Sequence, residues 1–268
     1  MQVVGLCRFS YPAIGGFQIE HETPEERRQY LYAPARLEER FRLFESSTLP
    51  SFRNQTDPEF RLLILIGDCL PKPAYDRLHD LTAGMPQVQI IQKPPIRHRR
   101  LMKEILNAAR TDPDQPCLQF RHDDDDAVSV DFVARLRQAT QDCVGLMRDN
   151  ETVGIDFNCG YLARLGADGV LATQVHRNLV TAGLGMYVRG GSSATIMNYT
   201  HNRIGRIMPV VSYPEAPMWV RSLNGFNDSP ATRKAQMELE PLSPEQEAEF
   251  IARFAIDPNI VRQVHASA

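Results

Sequence analysis

Along the first 145 or so positions, short apolar runs alternate with helical spacings of apolar residues. Val3-Val4-Gly5-Leu6-Cys7 is a compact apolar run closed by Arg8-Phe9-Ser10, and it predicts a first strand. A polar loop through Gly15-Gly16 and Thr23-Pro24 follows. From Pro34, a residue suited to a first helical turn, Leu37, Phe41 and Phe44 recur at i, i+4 and i+7. That spacing predicts an amphipathic helix ending before Leu49-Pro50-Ser51. Phe60 to Ile66 is an apolar run broken only by Arg61 and ends at Gly67-Asp68, the pattern of a central parallel strand covered on both faces. A short helix over Pro73–Leu81 stops at Gly84, and Val88–Ile91 is the next strand. Arg97-His98-Arg99-Arg100 opens a helix carrying Leu101, Ile105 and Leu106. After a turn at Thr111–Pro116, Cys117–Phe120 reads as a strand. Ser129 is the expected cap of a helix whose buried face is marked by Phe132, Leu136 and Cys143.

Strand–helix alternation of this kind predicts an α/β fold with a mixed, mainly parallel sheet flanked by helices. Beyond Thr152 the pattern shortens into β-like pieces at Val153–Phe157, Val170–Val175, Gly185–Val188, Ile207–Val211 and Met218–Leu223. Ser243-Pro244-Glu245-Gln246 has the form of a capping box ahead of Phe250, Ile251 and Phe254, and Asp257-Pro258 starts a last helix. No repeat or linker divides the chain, so residues 1–268 are expected to form a single domain.

Composition narrows this picture only at a few points. A formal net charge of -3 argues against electrostatic binding of nucleic acid. The longest aliphatic run, Leu62–Ile66, is too short for a membrane span, and Met1–Ser10 lacks the features of a signal peptide. A cytoplasmic location is expected, with association at a membrane surface left open. Cys7, Cys69, Cys117, Cys143 and Cys159 form no C-x-x-C pair, so they read as reduced thiols rather than zinc ligands or a disulfide framework.

The candidate chemistry lies in Arg121-His122-Asp123-Asp124-Asp125-Asp126-Ala127. Like charges about 6 Å apart repel by roughly 0.7 kcal/mol per pair even in water. Mg2+ or Mn2+ relieves that repulsion and also binds phosphate oxygen. The carboxyl end of a strand is where open α/β sheets bind ligands. A metal–diphosphate site is therefore expected, with a solvated acidic turn as the alternative. The run is not an EF-hand: counted from Asp123, the required Gly and Glu positions hold Val128 and Ala134. Neither G-x-G-x-x-G nor G-x-x-x-x-G-K-[ST] is present. Arg8, Arg97, Arg99 and Arg100 are candidates for phosphate or ribose contact, since guanidinium groups present forked donors. Trp219 reads as a core or rim aromatic, and His176 and His201 as isolated surface or structural residues. Asn224 could offer an amide oxygen to a metal, and Asn224-Gly225 also marks a turn.

Leu49-Pro50-Ser51-Phe52 with Gln55-Thr56, Phe60 leading into a strand, the Arg-x-Asp-Asp-Asp-Asp-Ala segment, and Trp219 followed by Asn224-Gly225-Phe226-Asn227 occur in that order. Together they resemble the putative rhamnosyltransferase family of bacterial glycosyltransferases, from Arg8 to about Ser229. The resemblance implies a GT-A-like, Rossmann-type fold. Residues 1–150 would be its nucleotide-binding half, and residues 151–268 its acceptor-binding half with the C-terminal helices. It implies metal-dependent sugar transfer, in polysaccharide biosynthesis, from a nucleoside diphosphate donor to a carbohydrate or lipid-linked acceptor. Asp123-x-Asp125 would be the Asp-x-Asp motif, with Asp123 toward the ribose or metal and Asp125 on Mn2+ or Mg2+; the frame Asp124-x-Asp126 stays open. Arg8, Arg97 and Arg100 would lie by the nucleotide. Asn224 stands where a His is expected beside the metal. An inverting reaction would need a base, for which Asp156, Glu215 and Asp228 are the candidates. The alternatives are a metal-dependent nucleotidyltransferase or phosphohydrolase, and a non-catalytic nucleotide-sugar-binding protein.

Overall fold

A computed structural model of the chain describes residues 1–15, 21–225 and 238–266. The expected alternation is present. β1 (Gln2–Arg8), β2 (Arg61–Gly67), β3 (Val88–Lys93) and β4 (Cys117–Asp123) run parallel in the order β3-β2-β1-β4. β9 (Leu184–Val188) lies antiparallel beside β4, followed outward by β6 (Thr152–Phe157) and β10 (Val210–Tyr213). β9 is thus the one antiparallel member among the described strands of a mainly parallel sheet. The chain moves outward from β1 through β2 to β3, then returns to β1's other side as β4. The β1–β4 pair is therefore the switch point, whose crevice opens at the carboxyl ends of both strands. Register places Arg8 opposite Asp123 there.

Alternate residues of the central strands serve two cores. Cys7, Leu62, Ile64, Ile66 and Phe120 face Phe41, Phe44 and Phe52 on one side. Val4, Leu6, Leu63 and Leu65 face α5 (His98–Ala108) on the other, through Leu101, Met102 and Ile105. Burying each such side chain is worth about 1.5–3 kcal/mol.

A second sheet has the order β12-β8-β7-β11-β5 among the described residues. It comprises β5 (Ala127–Val128), β7 (Cys159–Gly166), β8 (Gly169–His176), β11 (Trp219–Ser222) and β12 (Glu240–Pro241). The helices α8 (Pro244–Phe254) and α9 (Pro258–Ala266) cover it with Phe250, Phe254 and Val261. The expected capping box at Ser243 and Gln246 is formed. Trp219 is fully buried, with Nε1 donating to the Phe157 carbonyl at 2.8 Å. A methyl group on Gly160 or Gly183 would stand 2.2 and 2.3 Å from its indole, so only glycine fits beside the ring at either place.

Several expectations need correction. A helix, α1 (Pro24–Leu31), starts inside the expected loop, capped by Thr23 accepting the Glu26 N–H. The helix from Pro34 does not end before Leu49. α2 (Pro34–Leu43) passes through a π turn at Phe44–Thr48 into α3 (Leu49–Arg53). The wide turn lets Pro50, which has no N–H to give, start a new helical segment. Ser129 is not the cap of α6 (Phe132–Asp142); Asp131 is at that position, and Ser129 donates to its carboxylate at 2.6 Å. Gln55 instead supplies the missing acceptor, taking the Val133 N–H at 3.0 Å. β7 was not anticipated, and Ile207, expected in a strand, is 57% exposed at the end of a 3-10 turn.

Candidate functional site

The Asp run is the joint between the two sheets. β4 ends at Asp123, β5 begins at Ala127, and the Asp126 N–H closes the turn on the Asp123 carbonyl. Three of the four carboxylates are buried and point at structure. Asp124 accepts the Ser10 N–H at 3.1 Å and pairs with Arg40 at 3.1 Å. Asp125 pairs with the same Arg40 nitrogen at 2.6 Å and accepts the Asn224 amide N–H at 2.8 Å. Asp126 accepts the Ser222 N–H at 3.1 Å. Burial pushes the Asp124 and Asp126 carboxyls up from their ordinary range, with the Asp125 charge adding to both.

The Pro-Ser-x-x-x-Gln-Thr segment fastens this joint from the other side. Thr48 Oγ1 lies 3.2 and 2.7 Å from the Asp124 and Asp126 carbonyls. Gln55 donates to the Ser129 carbonyl at 2.7 Å, and the Thr56 N–H donates to the Val130 carbonyl at 2.7 Å. The two sequence signatures are thus tied together through residues bordering them, Thr48 on one side and Ser129 and Val130 on the other.

Asp123 faces the other way. Its side chain is 38% exposed at the switch-point crevice and pairs with Arg8 at 3.1 Å. Arg8 also donates to His98 Nε2 at 3.1 Å. A guanidinium can only donate, so this nitrogen accepts and the His98 ring is neutral. Burial, then the Arg8, Arg121 and Arg99 charges, push its pKa down to about 3. Arg121 lies two residues before Asp123, hence on the same face of β4. Its Nε is buried and has no hydrogen-bond partner among the described residues, and burial brings its pKa down to about 10. Burial opposes ionisation of Asp123, but Arg8, Arg121 and Arg221 outweigh it and hold the carboxyl below its ordinary range. Arg221 comes from β11, so a charge from the second sheet acts on Asp123. His201 donates from Nδ1 to the Leu179 carbonyl at 2.7 Å. Its pKa is lowered by burial and then by Arg121 and Arg221. Arg8, Arg121 and Arg221 against Asp123 make the crevice cationic in a chain whose formal net charge is -3.

The structure brings Arg8 and Asp123 together, and separately Asp125 and Asn224. Arg97 and Arg100 lie exposed at the start of α5, and Arg100 pairs with Glu104 at 3.0 Å, away from this cluster of partners. Asp156 is fully buried and accepts from the Leu179 N–H at 2.9 Å and Ser212 at 3.3 Å; burial raises its pKa to about 6. Glu215 is exposed in the loop after β10. Asp228 lies outside the described residues. Sequence reading missed Arg121, Arg221 and Arg40. Period-two spacing to Asp123 was the available signal for Arg121, and the i, i+4 pair Arg36/Arg40 beside the apolar stripe was the signal for Arg40.

Asp124 and Asp125 as arranged do not fit a divalent cation. Arg40 is seated between Asp124 and Asp125, and the group facing Asp125 from Asn224 is the amide N–H, a donor rather than a metal ligand. Among the described residues no three His, Cys, Asp or Glu side chains converge into an all-protein metal cage.

A family model described as "Putative rhamnosyl transferase" matches residues 2–236. The chain belongs to that family. Solved structures similar to this member include S. aureus TarS 1-349 in complex with UDP-GlcNAc, at 9% identity and TM-score 0.44, covering 99% of this chain and 71% of that one. TarS 1-349 alone gives 8% and 0.43, with 83% of this chain covering 60% of that one. A nucleotide-diphospho-sugar transferase from Desulfovibrio desulfuricans G20, itself described as putative, gives 10% and 0.38, covering 98% and 99%. No curated protein matches. The family member has the expected α/β architecture, a mainly parallel sheet flanked by helices, and no described helix is long and apolar enough to cross a membrane.

Proposed function

We propose that the protein transfers a sugar from a nucleoside diphosphate donor to a carbohydrate or lipid-linked acceptor, with the donor bound at the β1–β4 crevice. The supporting observation is the cationic crevice at the switch point of a glycosyltransferase-family sheet, with Asp123 as its partly exposed carboxylate. Arg8 and Arg121 are suited to the diphosphate, because forked charged donors match phosphate oxygens and stabilise charge as it develops on the leaving group. Asp123 is suited to accept from a ribose hydroxyl. The cation expected from the Asp run enters no step, since Asp124, Asp125 and Asp126 are already engaged.

Nucleotide-sugar turnover with and without candidate acceptors tests this reading. Acceptor-dependent release of nucleoside diphosphate is expected. Release of pyrophosphate, or hydrolysis indifferent to every acceptor, would favour nucleotidyl transfer or phosphohydrolysis instead. Binding without turnover would leave a non-catalytic nucleotide-sugar-binding protein.

A further inference from the structure

The neutralising charge at this site belongs to the chain itself. Arg40 is 5% exposed and reaches Asp124 and Asp125 from α2 with one nitrogen, in the place a shared cation would take. A divalent ion entering there would have to displace a buried guanidinium and strand its charge, a costly exchange in a dry site. It would also face the Asn224 N–H donor. On the open side, Arg8 pairs with one partly exposed carboxylate, Arg121 lies on the same face of β4, and the charge of Arg221 acts on that carboxylate from β11. Arg121 carries a buried Nε with no hydrogen-bond partner among the described residues. Buried polar groups are ordinarily satisfied, so a donor left this way beside a cationic crevice points to an anionic ligand that completes it.

We propose that Arg8, Arg121 and Arg221 neutralise the donor's diphosphate, and that nucleotide binding requires no divalent cation. This rests on the function proposed above. The diphosphate of a nucleotide sugar keeps a charge on each phosphate, which a set of guanidinium groups can meet by charge-assisted hydrogen bonds. Asp125 is then a structural residue, and Arg40 is the fixed counter-ion of the turn.

The test is calorimetric titration of the whole chain with UDP, dTDP, GDP, CDP and ADP, and with their sugar conjugates, first with EDTA and then with Mn2+. At least one ligand should bind in EDTA, with a Kd within about threefold of its value in Mn2+. Arg121→Gln and Arg221→Gln should each weaken that ligand roughly tenfold or more in EDTA while leaving the matching nucleoside unchanged. Binding that appears only with Mn2+, or tightens about tenfold with it, overturns the inference and leaves the proposed function standing. Unchanged diphosphate affinity in both variants, each checked for folding by circular dichroism, overturns it as well. Failure of every nucleotide and nucleotide sugar to bind under both conditions overturns the proposed function together with the inference.

Discussion

The two sides of the Asp turn carry similar groups and behave differently. On the closed side, Asp124, Asp125 and Asp126 are buried, and together they are bonded to three parts of the chain: Ser10 after β1, Arg40 on α2, and Ser222 with Asn224 at the end of β11. On the open side, Asp123 is 38% exposed among arginines drawn from β1, β4 and β11. Charge density alone marks both sides as candidates for ligand chemistry. Partnering separates them, because a buried carboxylate already supplied with a guanidinium and a backbone N–H has little left for a ligand.

The comparison breaks most visibly at Arg40. Arg40→Met should cost about 3–5 kcal/mol in urea denaturation, because Asp124 and Asp125 would be left as buried, uncompensated charges. A loss under about 1 kcal/mol would mean that the closed side is far better hydrated than its burial indicates.

Asp156, a buried carboxylate with no cation partner among the described residues, sharpens the contrast through pH. Its folded pKa is raised to about 6 from an ordinary 3.8. The unfolded chain therefore releases this proton first, and stability present below about pH 4 is lost as pH rises through about 6. Asp156→Asn should remove that slope and gain roughly 2–3 kcal/mol at pH 8, with little change at pH 4. Denaturation midpoints across pH 4–8 check it, and parallel curves for both proteins would contradict the assignment.

Gln55→Ala should cost about 1–2 kcal/mol, since the Val133 N–H at the start of α6 loses its acceptor. Asp123→Asn, on the open side, should cost roughly 1 kcal/mol, well below Arg40→Met, because it removes the carboxylate paired with Arg8 in a partly hydrated place, and it should alter nucleotide affinity measured by calorimetry. A large stability loss would place Asp123 with its buried neighbours. Arg100→Ala, the smallest expected effect, should leave nucleoside diphosphate affinity unchanged, because its guanidinium is engaged with Glu104 at the exposed start of α5.

Legibility from sequence follows the same division. β1 and β2 were readable as unbroken apolar runs and β3 and β4 as short ones interrupted by a single glutamine, and Arg8 with Asp123 because both sit at strand ends. The run through Pro50 was not, since a proline ordinarily ends a helix and a π turn leaves no composition signal. β7 escaped because Cys159-Gly160-Tyr161 carries little aliphatic character, its glycine being dictated by the Trp219 ring. The roles of Asp124, Asp125 and Asp126 were hidden for a different reason. Their partners lie 84 to 114 positions away in sequence, where periodicity carries no information.

The glycine-walled seat of Trp219 also makes this residue an optical probe. As the only tryptophan, it dominates the protein's fluorescence when excited at the red edge of its absorption. In its dry seat it should emit at short wavelength and shift to the red as the chain unfolds. β11 carries this fluorophore two residues from Arg221 and three from Ser222, the partner of Asp126. A single unlabelled emission spectrum can therefore follow the strand that serves both the joint and the crevice, in titrations and in denaturation alike.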